Sequence, residues 1–269
     1  MARQASGTSE ALHRLTVAAA ERRPCDPPRD LLPAGSLDAA YEVQAAWVSG
    51  RLAAGARVVG RKIGLTNPVV QRQLGVDRPD FGVLLDDMAC PEGRPVDITR
   101  TLQPRIEAEI AFVLARDLTG AVIGPAEVAA ATAHVTAALE IVDSRIANWD
   151  ISIVDTIADN ASSGLFVLGN TRRNLDDLGE LGLPGCTMTM WRGGTEVSTG
   201  SGAACLGNPL NAVAWLAATV RDRGRPLRAG EIVLSGALGP MVPVAAGDSF
   251  RAVVSGIGEV GVAFREGTA

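Results

Sequence analysis

Residues 103–115, QPRIEAEIAFVLA, carry the period that decides the fold. From Arg105 to Ala115 the apolar residues Ile106, Ala108, Ile110 and Phe112 alternate with Glu107, Glu109, Ala111 and Val113. A period of two is that of a half-buried strand, and it points Glu107 and Glu109 the same way. Downstream, the pattern predicts a helix over 125–133 and a second strand over 134–142, in which Glu140 shares a face with Ala138 and Val142. A helix is expected over 148–161, a strand over 164–169 and a hairpin over 188–197 centred on Gly193-Gly194. Asn208 followed by Pro209 reads as an N-cap and first-turn proline for a helix that stops at Gly224. The remainder, 231–264, is strand and turn.

Working back toward the start, the β-rich pattern begins with a strand candidate at 57–66. Before it lie two amphipathic segments, one from Thr8 to Arg23 and one capped by Ser36 that places Ala40, Val43 and Trp47 on one face, separated by a proline-rich loop. The chain thus divides into an N-terminal helical cover, 1–56, and a catalytic mixed-β domain, 57–269. Strands and helices do not alternate regularly, so the expected class is α+β rather than a doubly wound parallel sheet.

Composition narrows the function classes. With 25 Lys+Arg against 30 Asp+Glu, the formal charge is −5, and the basic stripe that tracks phosphates is missing, which argues against a nucleic-acid partner. No apolar run approaches the ~18–20 residues of a membrane span, and the first 15 residues lack the apolar stretch of a signal peptide. A cytoplasmic protein without a membrane partner is expected. The cysteines Cys25, Cys90, Cys186 and Cys205 are scattered without a CxxC pair, and read as free thiols.

The chemistry-bearing residues are acidic. Glu107 and Glu109 sit in one apolar strand and Glu140 in another. Two carboxylates ~6–7 Å apart on a strand face repel by roughly 2–3 kcal/mol at an effective dielectric constant near 20. Either the face is solvated, or arginines such as Arg105 and Arg145 neutralise it, or a cation does. An all-oxygen set of three carboxylates suits Mg²⁺ or Mn²⁺ rather than zinc. Lys62 is the single lysine among the basic residues. A lysine can release its proton where an arginine cannot, so Lys62 with Asp80, 18 residues on, forms a candidate acid/base pair beside a metal. The alternative is a surface ion pair and a turn aspartate. Ser162 and Ser163 of DNASSG are placed to donate to a carboxylate, or simply end a helix. His13 and His134 suit no nucleophilic triad, and there is no GxGxxG before a helix, no Walker loop and no HExxH.

These motifs resemble a known family. GRKIGLTNPVVQRQLGVDRPDFGVLLDDM, QPRIEAEIAFVL, ALEIVDSRI, VDTIADNASSG, CLGNPLNAVAWLA and SGALGPMVPV are similar, in order, to the 2-keto-4-pentenoate (2-hydroxypenta-2,4-dienoate) hydratases of the fumarylacetoacetate hydrolase superfamily. The resemblance implies a mixed β-roll or barrel-like core with flanking helices, a homo-oligomer, and one Mg²⁺ or Mn²⁺ on Glu107, Glu109 and Glu140. It places the acid/base pair on Lys62 and Asp80, and substrate contacts on Ser162 and the backbone near Leu65. It implies hydration of a 2-hydroxy-2,4-dienoate to a 4-hydroxy-2-oxo acid in meta-cleavage-type aromatic catabolism. The sister 4-oxalocrotonate decarboxylases share several motifs, so decarboxylation of a 2-oxo-enedioate, or a silent partner subunit of such an enzyme, stands as the alternative. A complex with a pathway decarboxylase or aldolase is the expected protein partnership.

Overall fold

The computed structural model describes residues 2–67, 71, 76 and 78–267. Helix α1 (Ala2–Glu21) and helix α2 (Leu37–Ala53) come first, and the Ser36 side chain accepts from Ala39 N at the α2 N-terminus. The strands are β1 (Val58–Gly64), β2 (Asp80–Leu85), β3 (Ala89–Cys90), β4 (Val96–Asp97), β5 (Pro104–Leu114), β6 (Thr132–Asp143) and β7 (Ser163–Leu168), followed by β8 (Thr187–Arg192), β9 (Thr195–Ser201), β10 (Ile232–Leu234), β11 (Val242–Pro243), β12 (Ser249–Val254) and β13 (Gly258–Arg265). Among the helices that intervene are α3 (Pro125–Ala131), α4 (Ile153–Ala158) and α5 (Pro209–Asp222).

Eight strands form a mixed sheet in the order β2-β1-β10-β5-β6-β7-β3, with β11 also paired to β5. Five more form a second sheet, β4-β13-β12-β8-β9. β5 and β6 run antiparallel at the centre of the eight-stranded sheet, where β1 runs parallel to β10. One buried cluster joins Leu15 and Ala40 of the helices to Ile106, Phe112 and Leu139 of the large sheet and Met190, Phe250 and Val262 of the small one. The first two helices therefore share the core of the sheets.

The α+β expectation and most elements hold, and two readings need correction. The stretch Gly202–Asp222 does reach the length and hydropathy of a bilayer span by composition, although its α-helix, α5, has only 14 residues. Its Ala212, Val213, Leu216, Ala217 and Val220 belong to the core cluster, and that burial accounts for its apolar composition. The helix expected over 148–161 is broken. Asn148 and Trp149 have positive φ, α4 covers only Ile153–Ala158, and Asn160, Ala161 and Ser162 follow with φ of 56°, 52° and 52°. Three consecutive left-handed residues without a glycine are costly, and persist only where the surroundings fix them.

Asn160 shows what fixes them. Its Oδ1 accepts from Val83 N at 2.8 Å and its Nδ2 donates to Val83 O at 2.9 Å. The amide thus stands in for a neighbouring residue along the outer edge of β2. Gly82 makes room for this approach, because a Cβ there would lie 2.3 Å from Ser163 Oγ and 2.4 Å from Asn160 O. Arg145 closes the turn through Asp159, its Nη2 donating to Asp159 O at 2.8 Å and to Ser163 O at 3.3 Å. Asn160→Ala strands two buried backbone groups, at about 1–3 kcal/mol each. Urea unfolding should show a loss of about 3 kcal/mol, and a loss below about 1 kcal/mol would mean that Val83 finds other partners.

Candidate active site and carboxylate cluster

The register of β5 on β6 sets Glu107 directly opposite Glu140, with Glu109 two residues along the same face. One carboxylate oxygen from each of the three lies within 4.8 Å of the others. Glu109 and Glu140 are fully buried and Glu107 is partly exposed. Like charges opposed across strands destabilise a sheet, so this arrangement needs a reason beyond folding. Gly236 N donates to Glu109 Oε2 at 2.7 Å. Glu109 Oε1 and Glu140 Oε2 accept from no donor among the described residues.

Lys62 and Asp80 face the same interior. Lys62 Nζ is 3.1 Å from Glu140 Oε1, and its side chain is 4% exposed. Asp80 opens β2 opposite Gly64 of β1, and a Cβ at Gly64 would lie 2.1 Å from Asp80 Oδ1. The glycine is what lets the carboxyl lie across the strand. The surface ion pair and turn aspartate considered for these two residues are excluded by their burial, 3% and 1% exposed.

Neither arginine considered as a neutraliser serves the cluster. Arg105 stacks over the Trp149 ring at 4.5 Å, and Arg145 is committed to Asp159. One ammonium thus faces four carboxyl groups. Burial pushes Glu107 up to about 7, with Glu140 adding to the rise and Lys62 opposing it. Burial, then Glu140 and Glu107, holds Glu109 well above the usual carboxylate range. Asp80 is raised by burial against the pull of Lys62. For Lys62, burial alone would favour the neutral amine, but Glu140 and Asp80 outweigh it and keep the proton on.

The donor set fits a hard divalent cation. Three convergent carboxylates with buried oxygens that lack donors match the all-oxygen preference of Mg²⁺ or Mn²⁺. Neither histidine belongs to the cluster. The nearby Cys205 thiol points elsewhere, donating to Gly236 O at 3.0 Å, and burial pushes it up to about 12. A thiolate ligand is therefore not on offer.

The profile of the fumarylacetoacetate (FAA) hydrolase C-terminal family matches residues 39–264. The chain belongs to this family. Within the family, the chain is 55% identical over 238 residues to the "TodF product hydratase" of Pseudomonas putida, covering 88% of each chain. It is 51% identical to the "2-keto-4-pentenoate hydratase" of Burkholderia vietnamiensis, covering 94% of this chain and 95% of the relative. Among solved structures of the family, the 4-oxalocrotonate decarboxylase of Pseudomonas putida G7, complexed with magnesium and adipate, superposes with a TM-score of 0.90 at 33% identity, over 96% of this chain and 97% of that one.

The family's hydratase branch was recognisable from six motifs, and the structure brings their polar residues toward one interior. Leu65 has φ +56° and its carbonyl accepts from Gln71 Nε2 at 2.6 Å. The next residue, Thr66, abuts Gly236, the residue that holds Glu109. Ser162 does not touch a carboxylate. Its Oγ lies 3.5 Å from Thr156 Oγ1, and the Thr156 hydroxyl in turn opposes the rise in the proton affinity of Asp80. Ser163, the other hydroxyl considered, donates to Asn160 O at 2.7 Å. The residues that sequence reasoning missed are Thr156, Asn160 and Gly236. VDTIADNASSG contained the first two, but a helix over that segment hid the left-handed turn that aims them.

The raised carboxyls set a pH signature for the metal-free protein. Glu107 titrates near 4.5 when unfolded and at about 7 when folded, so its folded state binds more protons between those values. Its contribution is full below the unfolded value and is lost as pH rises through about 7. Thermal unfolding of chelator-treated protein should therefore show a higher Tm at pH about 5.5 than at about 7.5, and a reversed order would contradict the repulsion.

Proposed function

We propose that this chain is a metal-dependent hydro-lyase that adds water to a 2-hydroxy-2,4-dienoate, giving a 4-hydroxy-2-oxo acid, in meta-cleavage-type catabolism of aromatic compounds. The observation that carries it is the convergence of Glu107, Glu109 and Glu140 on the interior that also holds Lys62 and Asp80. The names of relatives at 51% and 55% identity support hydration over decarboxylation, since the decarboxylase shares 33%.

Glu107, Glu109 and Glu140 would hold Mg²⁺ or Mn²⁺. When bound, the cation supplies positive charge that polarises the 2-oxo acid and spreads charge away from the dienolate. Lys62 is kept charged by Glu140; its Nζ hands a proton to C5 of the dienoate and takes one back from the 2-hydroxyl, which gives the 2-oxo-3-enoate. Asp80, whose proton affinity is raised by burial, takes a proton from the water that adds at C4 and returns it to C3. Thr156 orients Asp80, and Ser162 backs Thr156. The backbone at Leu65 and the hydroxyl of Ser162 line the substrate's path.

Around this centre, the segment 1–56 acts as a helical cover over the catalytic body 57–269, whose sheets close as a mixed β-roll. The four cysteines are free, in keeping with a reducing compartment, and we assign the enzyme to the cytoplasm as a homo-oligomer, with a decarboxylase or aldolase of the same route as its expected companion.

Purified chain incubated with 2-hydroxypenta-2,4-dienoate should lose the dienoate absorbance and form 4-hydroxy-2-oxopentanoate without releasing CO₂. Chelation should stop turnover, and Mg²⁺ or Mn²⁺ should restore it better than Zn²⁺. Release of CO₂ from a 2-oxo-enedioate with no dienoate hydration would assign decarboxylation instead, and full turnover by metal-free protein would end the metal reading. Lys62→Arg keeps the charge but not the ability to release a proton. It should lower kcat by about a hundredfold or more while metal content stays at parent level, as does Lys62→Met. An Arg variant within about fivefold of the parent would leave Lys62 as a charge-balancing residue.

A further inference from the structure

A cavity lies on the opposite side of β1 and β2 from the carboxylates. It has a volume of about 710 Å³ and is bounded by α2, the outer faces of β1 and β2, and the chain just after α5. That volume lies in the ordinary range for small-molecule sites. Arg61 and Phe81 line it, and each is the chain neighbour of a residue of the candidate active site. Successive strand residues point to opposite faces, so Arg61 and Phe81 face this cavity while Lys62 and Asp80 face the carboxylates.

Its polar groups are only half satisfied. The Arg61 side chain is 8% exposed, yet its guanidinium makes one hydrogen bond among the described residues, to the carbonyl of its own neighbour Gly60 at 2.9 Å. Glu231 Oε1 stands 3.7 Å away, and Glu231 Oε2 is buried with no donor. A guanidinium has five N–H donors in a planar fork, and burying such a pair without hydrogen bonds costs more than the attraction returns. Arg225 adds positive charge to the same wall. Beside Arg61 on the same sheet face lies an apolar side made by its cross-strand neighbour Val83 and by Phe81 stacked on Tyr41, centroids 4.7 Å apart.

We propose that this cavity binds a hydroxy-substituted carboxylate with an apolar body. The carboxylate takes the open N–H groups of Arg61 beside Arg225. The hydroxyl donates to Glu231 Oε1, the carboxylate oxygen on the Arg61 side. The body lies against Val83 and Phe81. Two sources share this chemistry: an aromatic hydroxy acid, and the short hydroxy-oxo acid formed by the enzyme itself. The size of the cavity and its aromatic wall favour the first.

Isothermal titration calorimetry on the Mg²⁺-loaded full chain tests it, using 3-hydroxybenzoate, benzoate and 4-hydroxy-2-oxopentanoate as probes. The heat of binding does not depend on which reaction the other site performs. The expected result is that 3-hydroxybenzoate binds one per chain and at least about tenfold tighter than benzoate, which has no hydroxyl for Glu231. Arg225→Gln and Glu231→Gln should each weaken it by about tenfold or more, while Glu109→Gln leaves it unchanged. Tighter binding of 4-hydroxy-2-oxopentanoate that is lost in Arg225→Gln would keep the site and assign it to the product. Equal affinity for benzoate, affinity unchanged in both cavity variants, or no heat from either hydroxy acid would overturn the proposal.

Discussion

Three glutamates brought within 4.8 Å in the interior, facing one lysine, are the constraint on which the other features of the site depend. Lys62 offsets only part of that charge: burial and mutual repulsion raise Glu107, Glu109 and Asp80 together, and the two arginines near in sequence are engaged elsewhere. A fold that maximised its own stability would place apolar residues at these positions. The arrangement is stabilised by what binds to it, and such sites are expected to be poor in stability when empty.

The surrounding chain is shaped to hold that arrangement open. Gly64 leaves room for the Asp80 carboxyl and Gly82 for the Asn160 turn. Gly236 has φ +108° and packs against Thr66 while its N–H reaches Glu109. The left-handed run Asn160-Ala161-Ser162 is secured on one side by Val83 and on the other by the Arg145–Asp159 pair. Helix α2 joins in through Gln44, whose Nε2 donates to Phe81 O at 2.8 Å and to Ile157 O at 3.1 Å. Strain at the turn and repulsion at the carboxylates are thus both carried by the rigid centre of the sheet.

Much of this was legible in the residues because the period of two in β5 and β6 is unambiguous. That period put Glu107 and Glu109 on one face, and the lone lysine drew attention to Lys62. What periodicity does not contain is register. That Glu140 stands opposite Glu107 depends on pairing between strands separated by a helix. The segment 148–161 misled because its apolar spacing is helical, while the side chain of Asn160 competes for backbone groups on a distant strand. Gly202–Asp222, read as a helix and not as a span, owes its high hydropathy to its buried core face.

The central claim is that the cluster opposes folding and is satisfied by a cation. Glu109→Gln tests it most directly, because the change is nearly isosteric, keeps an oxygen to accept from Gly236 N, and removes one charge. Metal-free stability and Mg²⁺ affinity of this variant, measured side by side by urea unfolding and calorimetry, should move in opposite directions. Stability should rise by about 1 kcal/mol and Mg²⁺ affinity should fall by about tenfold or more. A variant that is less stable than the parent and binds Mg²⁺ equally well would show that the carboxylates serve the fold alone.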